Sequence, residues 1–292
     1  MFAVALKPLG VMRMTGTCAG TPPLEWTYRT SPPPGMTRAE LHFKDVTTNS
    51  LVAGVLILSP GMNGDGLRLL KDDNWCKFAC RRNLLMVGLS FASIYDDLEN
   101  GRGYYYVDKG SGDVLLKGLS EAKADELPLY MYGFSGGAHF TSRFVLWCPR
   151  RVSAWCAYSA AWWKKPPFGK FLPPGIVACG ESDFRLEPSR RFFEEGRVVD
   201  AKWLWIGLHG VDQVPSPALE EFFRKYVESL EYADVDGAWI NVHLGREEEL
   251  SFVRRSPAPL VGYPKGHCFQ TGRRLGGCNE VEVDGTLSSN MA

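Results

Sequence analysis

Short apolar runs alternate with helical segments along most of the chain, and this alternation restricts the fold more than any other feature. Each run is bounded by turn residues and is too short for a typical helix, so it predicts a buried strand. The runs are residues 51–58, 84–91, 127–132, 152–158, 175–178 and 203–208. Helical spacing appears at residues 73–82, 113–124, 137–146, 188–195 and 216–230. The pattern predicts an α/β fold with a mostly parallel central sheet flanked by helices, in which ligands bind at the carboxyl ends of the strands.

The same pattern divides the chain of 292 residues into three parts. Residues 1–40 are rich in Pro, Thr and Gly, which predicts an irregular N-terminal segment. Residues 41–232 carry the alternation and are expected to form one α/β core. Residues 233–292 end in a Gly/Pro/Arg-rich tail and are predicted to pack on this core or to be partly disordered. The last predicted helix has Ser216 as its expected N-cap and Pro217 at its first position.

Charge and hydropathy exclude several classes of partner. The 33 basic and 33 acidic residues cancel, and no run of lysine and arginine suggests nucleic-acid binding. No apolar stretch approaches the roughly 20 residues that span a bilayer, so no membrane partner is expected. The apolar run at the N-terminus is too short for a signal peptide, and the eight cysteines form no disulfide scaffold. These features favour the cytoplasm while leaving secretion open, and they do not decide the oligomeric state.

The strongest local motif is Gly-Phe-Ser-Gly-Gly, which contains Ser135 between two flanking glycine positions. It follows a predicted strand directly and precedes a predicted helix, which is the context of a nucleophile elbow. Glycines beside the serine are expected because a sharp turn leaves no room for neighbouring side chains. A serine hydroxyl needs a base to remove its proton, so the motif predicts a histidine and a carboxylate further along the chain. The alternative is a serine in an ordinary turn.

A carboxylate and a histidine follow the next two predicted strands in the required order. Asp183 lies in the loop after residues 175–178, and Glu181 in the same loop is the alternative acid. His209 comes directly after residues 203–208, which completes the order Ser, Asp, His expected for this type of site. His267 in the C-terminal region is the rival base, whereas the other histidines are better explained by packing.

Acyl transfer also needs hydrogen-bond donors that stabilise the oxyanion of the tetrahedral intermediate. The backbone N–H of Gly136, next after the nucleophile, is one expected donor. The second is expected from the glycine-containing loop after residues 51–58, and we assign it to the backbone N–H of Met62. In this arrangement the Met62 thioether lines the site, and the alternative is a plain turn with Met62 in the core.

The connection between the strands at 152–158 and 175–178 is short and contains two adjacent tryptophans. Its length predicts that no large cap domain is inserted there. Trp162 or Trp163 is expected to provide a flat aromatic surface for an acyl group, although both are equally compatible with a packing role. Packing is the better explanation for Tyr104, Tyr105 and Tyr106.

These motifs, together with Ser-Pro-Gly at 59–61 and Cys-Gly-Glu-Ser-Asp at 179–183, resemble α/β-hydrolases over about residues 50–232. The resemblance is to the dienelactone hydrolase, polyhydroxybutyrate depolymerase and feruloyl esterase types, with cutinase-like polyester hydrolases as relatives. It implies hydrolysis of a small-molecule or polymeric carboxylic ester without a metal or organic cofactor. It further implies an acyl-enzyme on Ser135, His209 acting first as base and then as acid, and a tryptophan at 162 or 163 contacting the acyl group. Gly136 is a departure, because polyester hydrolases usually carry a larger residue there.

Two other functions share this pattern. A peptidase or amidase would use the same three residues, and a non-catalytic binding module would keep the fold without turnover. The presence of Ser135, Asp183 and His209 in three separate loops favours an enzyme.

Overall fold

The computed structural model describes residues 24–47 and 51–230, together with the backbone of Ile240–Leu244 and Asn279–Val281. The strands found within these residues are β1 (Leu24–Arg29), β2 (Arg38–Asp45), β3 (Gly54–Ser59), β4 (Leu84–Ala92), β5 (Leu129–Phe134), β6 (Val152–Tyr158), β7 (Gly175–Gly180), β8 (Trp203–Leu208), β9 (Ile240–Leu244) and β10 (Asn279–Val281). The helices are α1 (Gly66–Leu69), α2 (Asp73–Arg81), α3 (Tyr95–Glu99), α4 (Ser111–Glu121), α5 (Gly136–Trp147), α6 (Leu186–Val198) and α7 (Pro217–Leu230), with short 3₁₀ turns at Val107–Lys109 and Pro149–Arg151.

All of these strands belong to one sheet, in the order β1-β2-β4-β3-β5-β6-β7-β8-β9-β10. β2 pairs antiparallel with both β1 and β4, and every other pair is parallel. The expectation of a mostly parallel sheet is therefore confirmed. The chain passes from β3 to β4 on one side and then places β5 on the other side of β3. This reversal opens a crevice at the carboxyl ends of β3 and β5, where sheets of this kind bind ligands.

Helices cover both faces of the sheet. Alternate residues of a strand point to opposite faces, so Val55 and Ile57 of β3 join one apolar core and Leu56 and Leu58 join the other. The first core includes buried residues of α4, α5 and α6, and the second includes buried residues of α2 and α7. Burial on both faces explains why the strands are continuous apolar runs in the sequence.

The helix starts follow from local capping. The Ser216 hydroxyl accepts a hydrogen bond from the Leu219 N–H, as expected for an N-cap, and α7 begins at Pro217. Asp72 caps α2 in the same way by accepting from the N–H groups of Asn74 and Trp75. Each cap satisfies backbone donors that have no partner inside the helix.

The sheet extends further toward both ends of the chain than the alternation predicts. β1 lies in the segment expected to be irregular, where it pairs with β2 and Trp26 stacks on Phe43 with ring centroids 4.9 Å apart. The proline and glycine residues nearby dominated the composition of the segment and masked this strand. β9 extends the sheet beside β8. Residues 1–23 and most of the predicted extension at 233–292 lie outside the described residues.

Two observations concern the expected location. Within the described part of the chain, no helix combines the length and the apolar character needed to cross a bilayer. Cys76, Cys148, Cys156 and Cys179 are free thiols, whereas Cys80 is disulfide-bonded. Because disulfides persist mainly in oxidising compartments, Cys80 does not support the cytoplasm, and the location stays a prediction.

Candidate active site

Ser135 occupies the sharp turn between β5 and α5. Its backbone has φ 52° and ψ −112°, a conformation that side-chain-bearing residues rarely adopt. The turn is crowded as expected: a Cβ atom on Gly133 would lie 2.4 Å from the Gly137 carbonyl oxygen, and one on Gly137 would lie 2.1 Å from the Ser59 carbonyl oxygen. Only glycine fits at either position. This geometry is that of a nucleophile elbow, which exposes the serine hydroxyl above the sheet.

The two expected oxyanion donors lie side by side next to this turn. A Cβ atom on Gly136 would lie 2.7 Å from the Met62 backbone nitrogen and 2.6 Å from its Cα atom. Gly136 is the first residue of α5, where N–H groups have no acceptor inside the helix and the helix dipole favours negative charge. The Met62 side chain is exposed and outside the core. The two backbone segments are thus in close contact, and the role of their N–H groups as oxyanion donors stays a prediction.

The loop that carries Met62 is held in place by a partly buried polar network. The Arg38 guanidinium donates hydrogen bonds to the carbonyl oxygens of Asn63, Gly64 and Ser90, at 2.9, 2.6 and 3.1 Å. The Asn63 amide also forms two hydrogen bonds with the backbone of Ser93, both 3.0 Å long. Such fixation means that the backbone donors need not reorganise when charge develops.

Tyr104, which was assigned to packing from the sequence, has its hydroxyl next to Gly136 and the loop that carries Met62. Its Oη atom would lie 2.5 Å from a Cβ on Gly136 and accepts a hydrogen bond from the Asn63 N–H at 3.3 Å. Burial raises the pKa of this hydroxyl well above its usual value, so it stays a protonated donor. Tyr104 therefore fills the space that a larger residue at position 136 would need, which explains the glycine there.

His209 is at the end of β8, but its partner is the alternative acid. Its Nδ1 atom lies 2.8 Å from the Glu181 Oε2 atom, and its side chain is 74% exposed. Within the described residues, no hydrogen bond joins His209 to Asp183 or to Ser135. The structure therefore brings His209 together with Glu181 in this conformation.

Asp183 is completely buried and engaged elsewhere. Its Oδ1 atom accepts hydrogen bonds from the Arg185 backbone N–H at 3.0 Å and from the Arg185 guanidinium at 2.9 Å. The Cys179 thiol lies 3.7 Å from its other oxygen. The assignment of Asp183 as the triad acid stays a prediction.

The side chain that contacts the Ser135 hydroxyl is Gln213, which the sequence did not single out. Its Nε2 atom donates to Ser135 Oγ at 2.5 Å. The loop after β8 that carries Gln213 is fixed by the Tyr158 hydroxyl, which donates to the Val214 carbonyl oxygen at 2.8 Å. No sequence signal identifies this contact, because it depends on the path of the loop between β8 and α7.

The two tryptophans have different surroundings. Trp162 lies in an aromatic cluster at the carboxyl ends of the strands, with ring centroids 5.9 Å from Tyr105, 6.1 Å from Tyr95 and 5.5 Å from His139. Trp163 instead stacks on Phe192 of α6, 4.3 Å away, and packs against the core. Of the pair, Trp162 is the one that contacts His139 next to the Ser135 turn, and the expected contact with an acyl group stays a prediction.

His139 links this cluster to the elbow. Its Nδ1 atom lies 3.0 Å from the Ser135 carbonyl oxygen, and its Nε2 atom accepts hydrogen bonds from the backbone N–H groups of Ala161 and Trp162 at 3.1 and 3.0 Å. The ring is thus neutral, with its proton on Nδ1. Burial, together with Arg143, lowers its pKa to about 3.

No family model matches this sequence, and no curated protein does. Its structure is similar to that of the poly(3-hydroxybutyrate) depolymerase LpqC from Bordetella parapertussis, with 16% identity, a TM-score of 0.52 and coverage of 73% of this chain and 90% of that chain. It is also similar to that of S-formylglutathione hydrolase FrmB from Staphylococcus aureus, with 13% identity, a TM-score of 0.51 and coverage of 71% of this chain and 95% of that chain. A third similar structure is that of an esterase from Pyrobaculum calidifontis, with 10% identity, a TM-score of 0.53 and coverage of 72% of this chain and 85% of that chain. These likenesses confirm the α/β-hydrolase fold expected from the sequence, and the described residues contain no large cap.

Proposed function

We propose that this protein is a serine hydrolase that cleaves carboxylic esters. The observation that carries the proposal is the strained elbow at Ser135, beside which the backbone of Met62 and the first N–H of α5 converge. A strained non-glycine residue persists only where its surroundings enforce it, and such residues cluster at active sites. The structural neighbours support ester hydrolysis, because their names describe a poly(3-hydroxybutyrate) depolymerase, an S-formylglutathione hydrolase and an esterase.

In the proposed reaction, Ser135 Oγ attacks the carbonyl carbon while His209 takes its proton. The negative oxygen of the tetrahedral intermediate accepts hydrogen bonds from the N–H groups of Gly136 and Met62. His209 returns the proton to the leaving alcohol, and water then hydrolyses the acyl-enzyme by the same path. Because no hydrogen bond joins His209 to Ser135 in the described residues, its Nε2 atom has to approach Ser135 Oγ before the first step, while Nδ1 keeps its contact with Glu181.

The substrate class that fits this proposal is a small-molecule or polymeric ester. Trp162 and its aromatic neighbours offer a flat apolar surface beside the elbow, suited to an aromatic or bulky acyl group. Tyr104 occupies the place of the larger residue that polyester hydrolases carry after the nucleophile. This difference favours esters other than the usual polyesters.

The test is covalent labelling with a fluorophosphonate, followed by location of the adduct and by assays on p-nitrophenyl esters of increasing chain length. We expect labelling on Ser135 and loss of turnover in Ser135→Ala. Ser120→Ala, which changes an exposed serine of α4, is the matched control and should keep both. Peptide turnover exceeding ester turnover would assign the protein to the peptidases or amidases instead.

A second experiment compares variants of Glu181 and Asp183 to identify the carboxylate that orients His209. The hydrogen bond from His209 favours Glu181, so we expect Glu181→Gln to lower kcat by more than 100-fold. Asp183→Asn should act mainly on stability, because it disrupts the buried pair with Arg185. A larger loss of kcat in folded Asp183→Asn than in Glu181→Gln would assign the acid to Asp183.

One observation favours the non-catalytic binding module. In the described conformation Gln213, rather than a base, contacts Ser135 Oγ. The absence of any label at Ser135, with turnover no higher than in Ser135→Ala, would establish this second function.

A further inference from the structure

The connection from β6 to β7 exposes aromatic and basic side chains together. We call residues 161–174 the aromatic–lysine loop. Phe168 is 85% exposed and Phe171 is 56% exposed. The lysines of the loop are exposed as well, and the loop contains no acidic residue; they are Lys164, Lys165 and Lys170. Within the described residues, no ion pair involves any of these lysines.

The loop is anchored at both ends, which fixes the position of its exposed tip. At one end Trp163 stacks on Phe192, and at the other the Pro173 carbonyl oxygen accepts hydrogen bonds from the indole N–H groups of Trp155 and Trp203. Between these anchors, Gly169 has a φ of 68°, and a Cβ placed on it would have no atom within 4 Å. The Phe168 side chain therefore projects at the point where the loop is most open.

Other exposed apolar side chains lie at the same edge of the sheet. They belong to the loops that follow the parallel strands β3, β4, β7 and β8, and they are Met62, Ile94, Tyr95, Phe184 and Val214. Because the carboxyl ends of parallel strands share one edge, these residues and the loop lie at the same edge of the sheet as Ser135. Tyr95 and Trp162 join two of these loops directly, with ring centroids 6.1 Å apart.

The charge at this edge is divided between loops. Its acidic side chains lie outside the aromatic–lysine loop, and they include Asp65, Asp96, Asp97, Glu99, Glu181, Asp183, Glu187 and Asp212. Several of them have partners: Asp97 pairs with Arg102, Glu181 with His209, and Asp65 accepts from Ser90. The lysines beside Phe168 and Phe171, in contrast, form no ion pair within the described part of the chain.

We propose that the aromatic–lysine loop docks this protein on a negatively charged lipid surface. Aromatic side chains that enter the headgroup region, flanked by lysines that attract anionic lipids, are the arrangement that peripheral membrane binding requires. Several exposed apolar side chains at one edge indicate an interaction site, since their exposure to water is unfavourable. The sequence predicted no membrane partner on the ground that no apolar stretch is long enough to span a bilayer, and this proposal departs from that prediction because peripheral docking needs no such stretch. Under the proposed function, the docked face presents Ser135 to esters held in the lipid surface.

The experiment is sedimentation of the full chain with vesicles of phosphatidylcholine, with and without phosphatidylserine. We expect binding that depends on phosphatidylserine and weakens with salt. Each lysine near such a surface contributes about a factor of 5, so Lys164→Gln/Lys165→Gln/Lys170→Gln should weaken binding about 100-fold. Phe168→Ser/Phe171→Ser should weaken it in vesicles of either composition.

Matched controls change the same residue types away from this edge. Lys71→Gln/Lys117→Gln/Lys123→Gln removes three exposed lysines of other segments, and Val198→Ser changes an apolar residue of α6 that is 81% exposed. Both should bind like the parent chain. Thermal unfolding of every variant verifies that the fold is retained.

The outcomes separate docking from catalysis. Ser135→Ala should sediment with the vesicles unchanged, and the loop variants should still hydrolyse a soluble short-chain ester if the proposed function holds. No binding to vesicles, or binding that the control variants lose equally, would overturn the docking. Binding to a polyester film but not to vesicles would also overturn it and would assign the loop to a polymer surface.

Discussion

Ser135 shows how a single residue is held in an unfavourable conformation. A positive φ at a residue with a Cβ costs on the order of 1–3 kcal/mol. The surrounding turn enforces it, because the Ser135 N–H donates to the Tyr158 carbonyl oxygen of the neighbouring strand at 2.8 Å. Two N–H groups of α5 bind the Ser135 carbonyl oxygen on the other side. The hydroxyl is thereby presented at a defined point above the sheet.

Gln213 is expected to restrain this hydroxyl. Its amide N–H occupies a lone pair of Ser135 Oγ, and that oxygen needs a free lone pair to attack an ester. We therefore predict that Gln213→Ala is labelled by a fluorophosphonate several-fold faster than the parent chain. The measurement is the rate constant of labelling under single-turnover conditions. Slower labelling in a variant that unfolds normally would show that Gln213 assists the reaction instead.

Tyr104 is expected to stabilise the transition state. Its hydroxyl lies against Gly136 and beside the Met62 backbone, where it can donate to the oxyanion as a third group. We predict that Tyr104→Phe lowers kcat at least 10-fold with little change in KM, since the interaction forms only in the transition state. Tyr106→Phe is the control, because the Tyr106 hydroxyl binds the Leu98 carbonyl oxygen. An unchanged kcat would leave Tyr104 with a packing role.

At the scale of elements, His139 connects α5 to the aromatic–lysine loop. One ring nitrogen binds the elbow, and the other accepts from two consecutive N–H groups of the loop. The ring also stacks on Tyr105, with centroids 4.3 Å apart. The position of Trp162 beside the nucleophile therefore depends on a neutral histidine.

The lowered pKa of His139 makes the free energy of unfolding depend on pH. It is about 3 in the folded chain against an ordinary value of 6.5, so the unfolded chain binds the proton first. The free energy of unfolding should fall as the pH drops from about 6.5 toward 3, by about 2 kcal/mol between pH 7 and pH 5. His139→Gln, which keeps a donor and an acceptor without titrating, should lose less stability over this interval. The measurement is urea unfolding at pH 7 and pH 5. An equal loss of unfolding free energy in the parent chain and in His139→Gln would contradict this role.

The stability of the whole molecule also depends on Glu220, whose effect on the free energy of unfolding changes with pH in the direction opposite to that of His139. Burial raises the pKa of this α7 carboxyl from 4.5 to about 7, although Arg224 one turn later acts against the rise. The unfolded chain ionises first, so this group weakens folding as the pH rises from about 4.5 through 7. Glu220→Gln should gain up to about 3 kcal/mol relative to the parent chain between pH 5 and pH 8. Urea unfolding measures this, and a pH-independent difference would contradict it.

Much of the architecture could be read from the sequence because its signals are local. Apolar runs of strand length, caps such as Ser216 and the glycines around Ser135 are each contained in a few neighbouring residues. They were sufficient for the α/β class and for the sharp turn at Ser135, whereas the oxyanion donors stay a prediction. β1 was missed because its signal is short and the residues around it are typical of loops.

The remaining features were decided only by the tertiary structure. The order of the strands brings the loops after β3, β5 and β8 together, and the resulting contacts join residues far apart in the chain, such as Gln213 with Ser135. Whether His209 meets Glu181 or Asp183 depends on which carboxylate Arg185 already holds. Local patterns carry no information on such competition, because it depends on loop paths and side-chain rotamers that exist only once the sheet has assembled.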